Sequence, residues 1–158
     1  MYDEIYRIPM VVAHPDHQGE GRAYSDFVYL QDIMPTILEI AGIAAPEGLD
    51  GVSLLPAVLG QGEGSAAADR DDVYCMLDHQ FFPVNQRMVR TKTHQFTFNS
   101  GEIGELYDLV KDPYQLNNVY ENLEYDIVRK ELIHRMEGHM KRLNDPVYKW
   151  FKQIIGVY

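Results

Sequence analysis

The chain has 158 residues, 46% of them apolar and 24% charged, a balance that suits a folded protein with a core of its own and excludes a disordered one. Its net charge of −10 argues against nucleic acid and anionic membranes as partners, because both need a positive footprint. A sulfate or phosphate ester would need local positive charge to bind against that field.

No apolar run approaches the roughly 20 residues of a membrane span. The acidic start Met1-Tyr2-Asp3-Glu4 lacks the basic-then-apolar order of a signal peptide, so the chain made as it stands is expected in the cytoplasm. Cys75 is the single cysteine, which excludes an internal disulfide framework.

In chain order, the apolar run that follows Ile8-Pro9 predicts a buried strand over residues 8–13. His14, Asp16 and His17 follow on a Pro/Gly loop. They have no second ligand cluster nearby and read as solvated loop rather than metal site. Leu30, Ile33, Met34, Ile37, Leu38 and Ile40 recur at helical spacing and predict a core helix over 31–42. Pro35 is tolerated near its start and Gly42 closes it. A short helix over 53–59 follows, capped by Ser53, with Pro56 in its first turn and Gly60 at its end. Residues 61–71, small, polar and glycine-rich, read as a flexible linker.

The period then changes to two. Asp72–Leu77, Gln86–Arg90, His94–Phe98 and Leu106–Leu109 read as four strands with short connections, which implies an antiparallel sheet. Asp112-Pro113 stops the last strand, and Asn117, Asn118 or Asn122 can cap the helix that follows. From Leu123 to Leu143 the period returns to 3.6, with Tyr125, Val128, Leu132, Met136, Met140 and Leu143 on the face that covers the sheet. The aromatic tail from Pro146 to Ile155 is either a short docking helix or a sticky end. The fold class is α+β: a small four-stranded antiparallel sheet packed by a long C-terminal helix, with a strand-and-helix segment in front.

Four ordered segments carry a resemblance. Glu105-Leu106-Tyr107-Asp108-Leu109, with Asp112-Pro113 and the asparagines beyond, resembles the ELYDL-x-x-DP-x-E-x-x-N signature near the C-terminus of type I sulfatases, of the alkaline-phosphatase superfamily. Asp32, Pro35, Thr36, Leu38, Ala41 and Gly42 resemble that family's D-x-x-PT-x-L-x-x-AG run. Gly51-Val52-Ser53-Leu54-Leu55-Pro56 resembles its G-x-SLLP, and Tyr2–Val12 resembles the stretch after its metal-binding DH-G or DN-G motif. The resemblance implies that residues 1–60 are a remnant of the large α/β domain and that 72–158 form the C-terminal subdomain.

What the resemblance implies about chemistry lies mostly outside the chain. The family's nucleophile is a formylglycine made from the Cys or Ser of C/S-x-P/A-x-R, and it works beside a calcium or magnesium ion. Cys75 sits in Cys-Met-Leu-Asp-His, where the Pro/Ala and the Arg are both missing. No catalytic residue and no metal ligand are therefore assigned here, and the chain alone is expected to be inactive. Formylglycine and calcium or magnesium are expected in a missing N-terminal region, which would also be the partner, with a second copy of the chain as the alternative. A sulfate ester would be substrate only of the complete enzyme. The segment before the second strand suggests a pocket wall carried by His79, Gln80 and Gln86. Arg87, Arg90, Lys92 and His94 form the one basic concentration, and read as the solvated ends of a hairpin. Two other roles fit the same residues: a non-catalytic binding or oligomerisation module, or part of a phosphodiesterase or phosphonate monoester hydrolase.

Overall fold

The computed structural model describes residues 1–15, 21–61, 69–78 and 85–156. They fall into two compact units: Met1–Ile8 with Asp72–Tyr158, and Pro9–Asp71. The first eight residues thus go with the sheet, whereas the sequence reading puts residues 1–60 together.

In the larger unit the period-two segments form β1 (Asp72–Asp78), β2 (Asn85–Thr91), β3 (His94–Asn99) and β4 (Glu105–Asp108). They make one antiparallel sheet in the order β1-β2-β3-β4. Register decides the core. Val89 lies opposite both Tyr74 and Phe96, and Phe96 lies opposite Leu106, so one face is a continuous apolar surface. Helix α4 (Asp126–Arg142) covers it with Leu132, Met136 and Met140. Helix α5 (Tyr148–Ile155) adds Phe151, whose ring meets Phe98 edge-on at 5.1 Å. The aromatic tail is therefore a docking helix. Each such fully buried side chain stabilises the fold by about 1.5–3 kcal/mol.

Local chemistry fixes the ends of α4. Ahead of it, the Asn122 side chain accepts from the Glu124 amide at 3.0 Å and caps the 3-10 turn Leu123–Tyr125 that runs into α4. At the other end Asn144 adopts φ +50°, and the amides of Asn144 and Asp145 donate to Lys141 and Met140 carbonyls, a Schellman closure. That turn aims Asp145 into the core.

Asp145 meets Arg87, which projects from β2 onto the helix-covered face and is fully buried. Its carboxylate accepts from Arg87 Nε at 2.6 Å, Arg87 Nη2 at 3.0 Å, the Tyr74 hydroxyl at 2.7 Å and the Val147 amide at 2.9 Å. Arg87 also donates to Asp78 at 2.7 Å. Every strong donor around Asp145 is thereby used, the condition under which a buried ion pair is tolerated.

In the smaller unit a 3-10 turn (Leu30–Asp32) runs into α2 (Ile33–Ile40), and α3 (Leu55–Val58) follows. Gly42, at φ +68°, closes α2 as its amide and that of Ile43 donate to Glu39 and Leu38. Two expectations fail here. Ile8–Ala13 form no strand: no described strand pairs with them, and Val11 is 93% exposed. An apolar run becomes a strand only where another strand completes its hydrogen bonds.

The second failure concerns α2, whose apolar stripe is uncovered. Leu30, Ile33, Met34, Ile37 and Ile40 are 41–60% exposed, while Asp32, Pro35 and Thr36 are buried. The polar side of the helix holds the chain together. Asp32 accepts from the Tyr29 and Val52 amides and takes a bidentate contact from Arg70 at 2.6 and 2.8 Å. Arg70 is thus an anchored residue and not loose linker. Burial alone would raise the Asp32 carboxyl, but Arg70 and the two amides outweigh it and hold it low. Ser53 bonds the Leu55 amide at 3.1 Å just ahead of α3 instead of capping it, and Leu54 occupies the cap position.

Candidate functional site

Alternation along the strands gives the sheet a second face, turned away from α4 and α5. Gln86, Met88 and Arg90 of β2, Gln95, Thr97 and Asn99 of β3, and Glu105 and Tyr107 of β4 share it, as the register requires. A polar row crosses three strands on this face. Gln86 Nε2 donates to Asn99 Oδ1 at 2.7 Å, Asn99 Nδ2 donates to Glu105 Oε1 at 2.9 Å, and the Tyr107 hydroxyl donates to Glu105 Oε2 at 3.2 Å. The row ends at an open depression of about 500 Å³ lined by Tyr2, Glu102, Ile103, Glu105, Tyr107 and Asn118.

The Tyr107 hydroxyl is held protonated. Burial raises it first, and the nearby Tyr2 hydroxyl and Glu105 carboxylate add to that. The donors of the row are spent on one another and Asn99 and Tyr107 are buried, so what it presents outward are the partly exposed Gln86 amide and Glu105 carboxylate. Such a set can hold hydroxyl groups, but it contains no positive clamp for a sulfate oxygen.

Of the residues the sequence points to, Gln86 lies in this row. His79 and Gln80 lie outside the described residues. The basic concentration is dispersed by the pleat. Arg87 points to the helix-covered side, fully buried and paired with Asp145, so it is no solvated hairpin end. Arg90 points to the opposite side and holds Asp3 at 2.8 and 2.9 Å. His94 Nε2 stands 4.0 Å from Asp108, and only Lys92 keeps an exposed position near the hairpin turn.

Burial pushes the Cys75 thiol up to about 11, which suppresses the thiolate that chemistry would need. Among the described residues no three His, Cys, Asp or Glu side chains converge. The Asp108, Asp112 and Asn118 side chains are spent on turns. Asp108 accepts from the Val110 and Lys111 amides, Asp112 from Asn117, and Asn118 from Leu106 and Tyr120. No step through a metal or formylglycine is assigned to these residues.

Sequence reasoning missed the N-terminal contribution to this face. Gln95 donates to the Met1 carbonyl, Gln115 accepts from the Asp3 amide at 2.8 Å, and the Tyr2 and Tyr107 rings lie 6.1 Å apart. These partners are about 90 to 110 residues apart in the chain, and nothing in the local pattern marks them. Gln95 and Thr97, polar at inward positions of β3, were the available signal, because buried polar side chains need partners.

The sequence profile of the family described as N-sulphoglucosamine sulphohydrolase, C-terminal, matches residues 1–142. The chain is 34% identical over 130 residues to an uncharacterized protein of Haemophilus influenzae, covering 82% of this chain and 65% of that protein. It is 28% identical over 149 residues to an N-acetylglucosamine-6-O-sulfatase of Bacteroides thetaiotaomicron, covering 92% of this chain and 27% of that enzyme. In structure it is similar to a phosphonate monoester hydrolase of Agrobacterium radiobacter, with a TM-score of 0.70 and 26% identity over 81% of this chain and 28% of that one. The chain spans less than two thirds of the length of each.

Proposed function

Because the chain belongs to the family of N-sulphoglucosamine sulphohydrolase C-terminal domains, we propose that it serves as the C-terminal part of a sulfuric ester hydrolase acting on sulfated sugars. The match over residues 1–142 carries this proposal. The similarity to an enzyme named for a sulfated amino sugar supports the substrate class. In this role the domain supplies scaffold and one wall of the substrate pocket, and the rest of the protein supplies the formylglycine nucleophile and the calcium or magnesium ion.

The wall is Gln86 and Glu105, held in place by the buried Asn99 and Tyr107; an amide and a carboxylate suit sugar hydroxyls and not the sulfate itself. His79 and Gln80 belong to the same proposal from their sequence position. The exposed stripe of α2 is where the rest of the enzyme docks. The match spans only 27% of that relative, and five uncovered apolar side chains on one helix face are a surface to be covered. A second copy of the chain is the competing occupant.

The test is a chimera in which this chain replaces the matching segment of the Bacteroides N-acetylglucosamine-6-O-sulfatase. Sulfate release from 6-O-sulfated N-acetylglucosamine, above that of the truncated enzyme, supports the proposal. A chimera that folds but releases no sulfate overturns it, and a stable dimer of the chain alone favours the competing occupant. The likeness to a phosphonate monoester hydrolase favours a second reading, in which the same chimera turns over a phosphonate monoester in preference to the sulfate ester.

A further inference from the structure

The first residues of the chain are held in a clamp whose cost is concentrated in the clamp itself. Helix α1 (Asp3–Tyr6) is a single turn; the Ile5 and Tyr6 amides donate to the Tyr2 carbonyl, but the first amides of a helix have no partner within it. The Asp3 amide finds the Gln115 side chain at 2.8 Å, and the Met1 carbonyl finds Gln95 Nε2. Arg90 grips both oxygens of the Asp3 carboxylate, a fork that fixes orientation as well as position.

Three local penalties accompany this grip. Gln115 holds φ +55°, a conformation that non-glycine residues rarely adopt. The free ends of both clamp amides, Gln95 Oε1 and Gln115 Nε2, are buried with no hydrogen-bond partner among the described residues. Strain and unsatisfied polar atoms gathered around one segment mark a place where position matters to function.

We propose that Arg90, Gln95 and Gln115 are positioning residues that fix the backbone of Met1 to Tyr6, and through it the polypeptide that enters the domain there. This rests on the reading above, in which a C-terminal domain receives the reacting groups from the part of the enzyme that precedes it. The clamp sets the distance and angle between that part and the sugar-facing row.

The test has two arms. In the chain itself, hydrogen exchange at the Asp3 amide is expected to be at least tenfold slower than at the exposed Val11 and Val12 amides. Gln115→Met should remove that protection while leaving α4 unchanged. In the chimera, Arg90→Met should lower kcat at least tenfold with KM changed less than twofold, and the charge exchange Asp3→Arg with Arg90→Asp should restore activity. Fast exchange at Asp3 overturns the clamp. An Arg90→Met chimera as active as its parent, or a loss that follows its melting temperature, overturns the positioning role. If the parent chimera is inactive, the proposed activity fails and the positioning role with it, while the exchange result still decides whether the clamp exists.

Discussion

Removing the Asp145 carboxylate should be among the most damaging single changes to this domain. Asp145→Ala strips Arg87 of its contacts at 2.6 and 3.0 Å and leaves Asp78, whose side chain is 55% exposed, as its remaining carboxylate partner. The Tyr74 hydroxyl and the Val147 amide lose their acceptor as well. Breaking a buried pair from one side costs about 3–5 kcal/mol, set against a total stability of roughly 5–15 kcal/mol for a typical domain. Urea unfolding followed by the fluorescence of Trp150, the single tryptophan and part of α5, reads the right region. With a slope of about 1–3 kcal/mol per molar urea, the midpoint should fall by roughly 2 M. The double variant Arg87→Met with Asp145→Leu should recover most of that loss, because an apolar pair of similar volume removes the uncompensated charge. A shift below about 0.5 M at unchanged slope, or a double variant as weak as the single, would refute the reasoning.

Acid should unfold the larger unit through its carboxylates. Burial works upward on Asp108, but the amides of Lys111 and Val110, the Lys111 ammonium and the Tyr125 hydroxyl pull it down to about 2. Hydrogen bonds from Lys141 and Tyr148 likewise bring Glu137 to about 2. Groups depressed on folding stabilise fully above the ordinary carboxylate range and lose that contribution as pH falls towards 2, so the circular-dichroism transition should lie between about pH 4 and pH 2. A transition complete above pH 5 would contradict this. Met136→Ala, at a fully buried position of α4, should cost about 2–5 kcal/mol in the same urea titration. Gly51→Ala would place a Cβ 2.2 Å from the Gln31 carbonyl oxygen, so exchange at the α2 amides should accelerate about tenfold or more while the sheet is unaffected, the equivalent of an overpacking cost of about 1–3 kcal/mol. Ile37→Glu, on the open stripe of α2, should change the stability of the chain by less than about 0.5 kcal/mol yet abolish assembly in the chimera; unchanged assembly would show that the stripe is not the docking surface.

Much of the architecture was legible because its causes are local. Period-two segments from Asp72 to Asp108 and a 3.6 period from Leu123 to Leu143 gave the sheet and its covering helix, since side-chain direction follows backbone repeat. Turn chemistry was legible for the same reason: Asn122 caps and Asp108 closes a turn through atoms within a few residues. The family was legible in four ordered segments, and the profile match over residues 1–142 bears it out.

Tertiary structure alone decided what each polar side chain is for. Arg87 and Arg90 read as neighbours in one basic patch, yet the pleat sends one to Asp145 in the core and the other to Asp3. The run at 8–13 has strand-like composition but no strand to pair with, and α2 has a core-helix pattern whose apolar stripe faces outward. Periodicity records which face of an element is apolar, not whether anything lies against it. By itself the sequence determined the elements, the sheet and the family. Register, the grip on Met1–Tyr6 and the polar row through Gln86 came only from folding, because each joins residues whose closeness depends on the path of the whole chain.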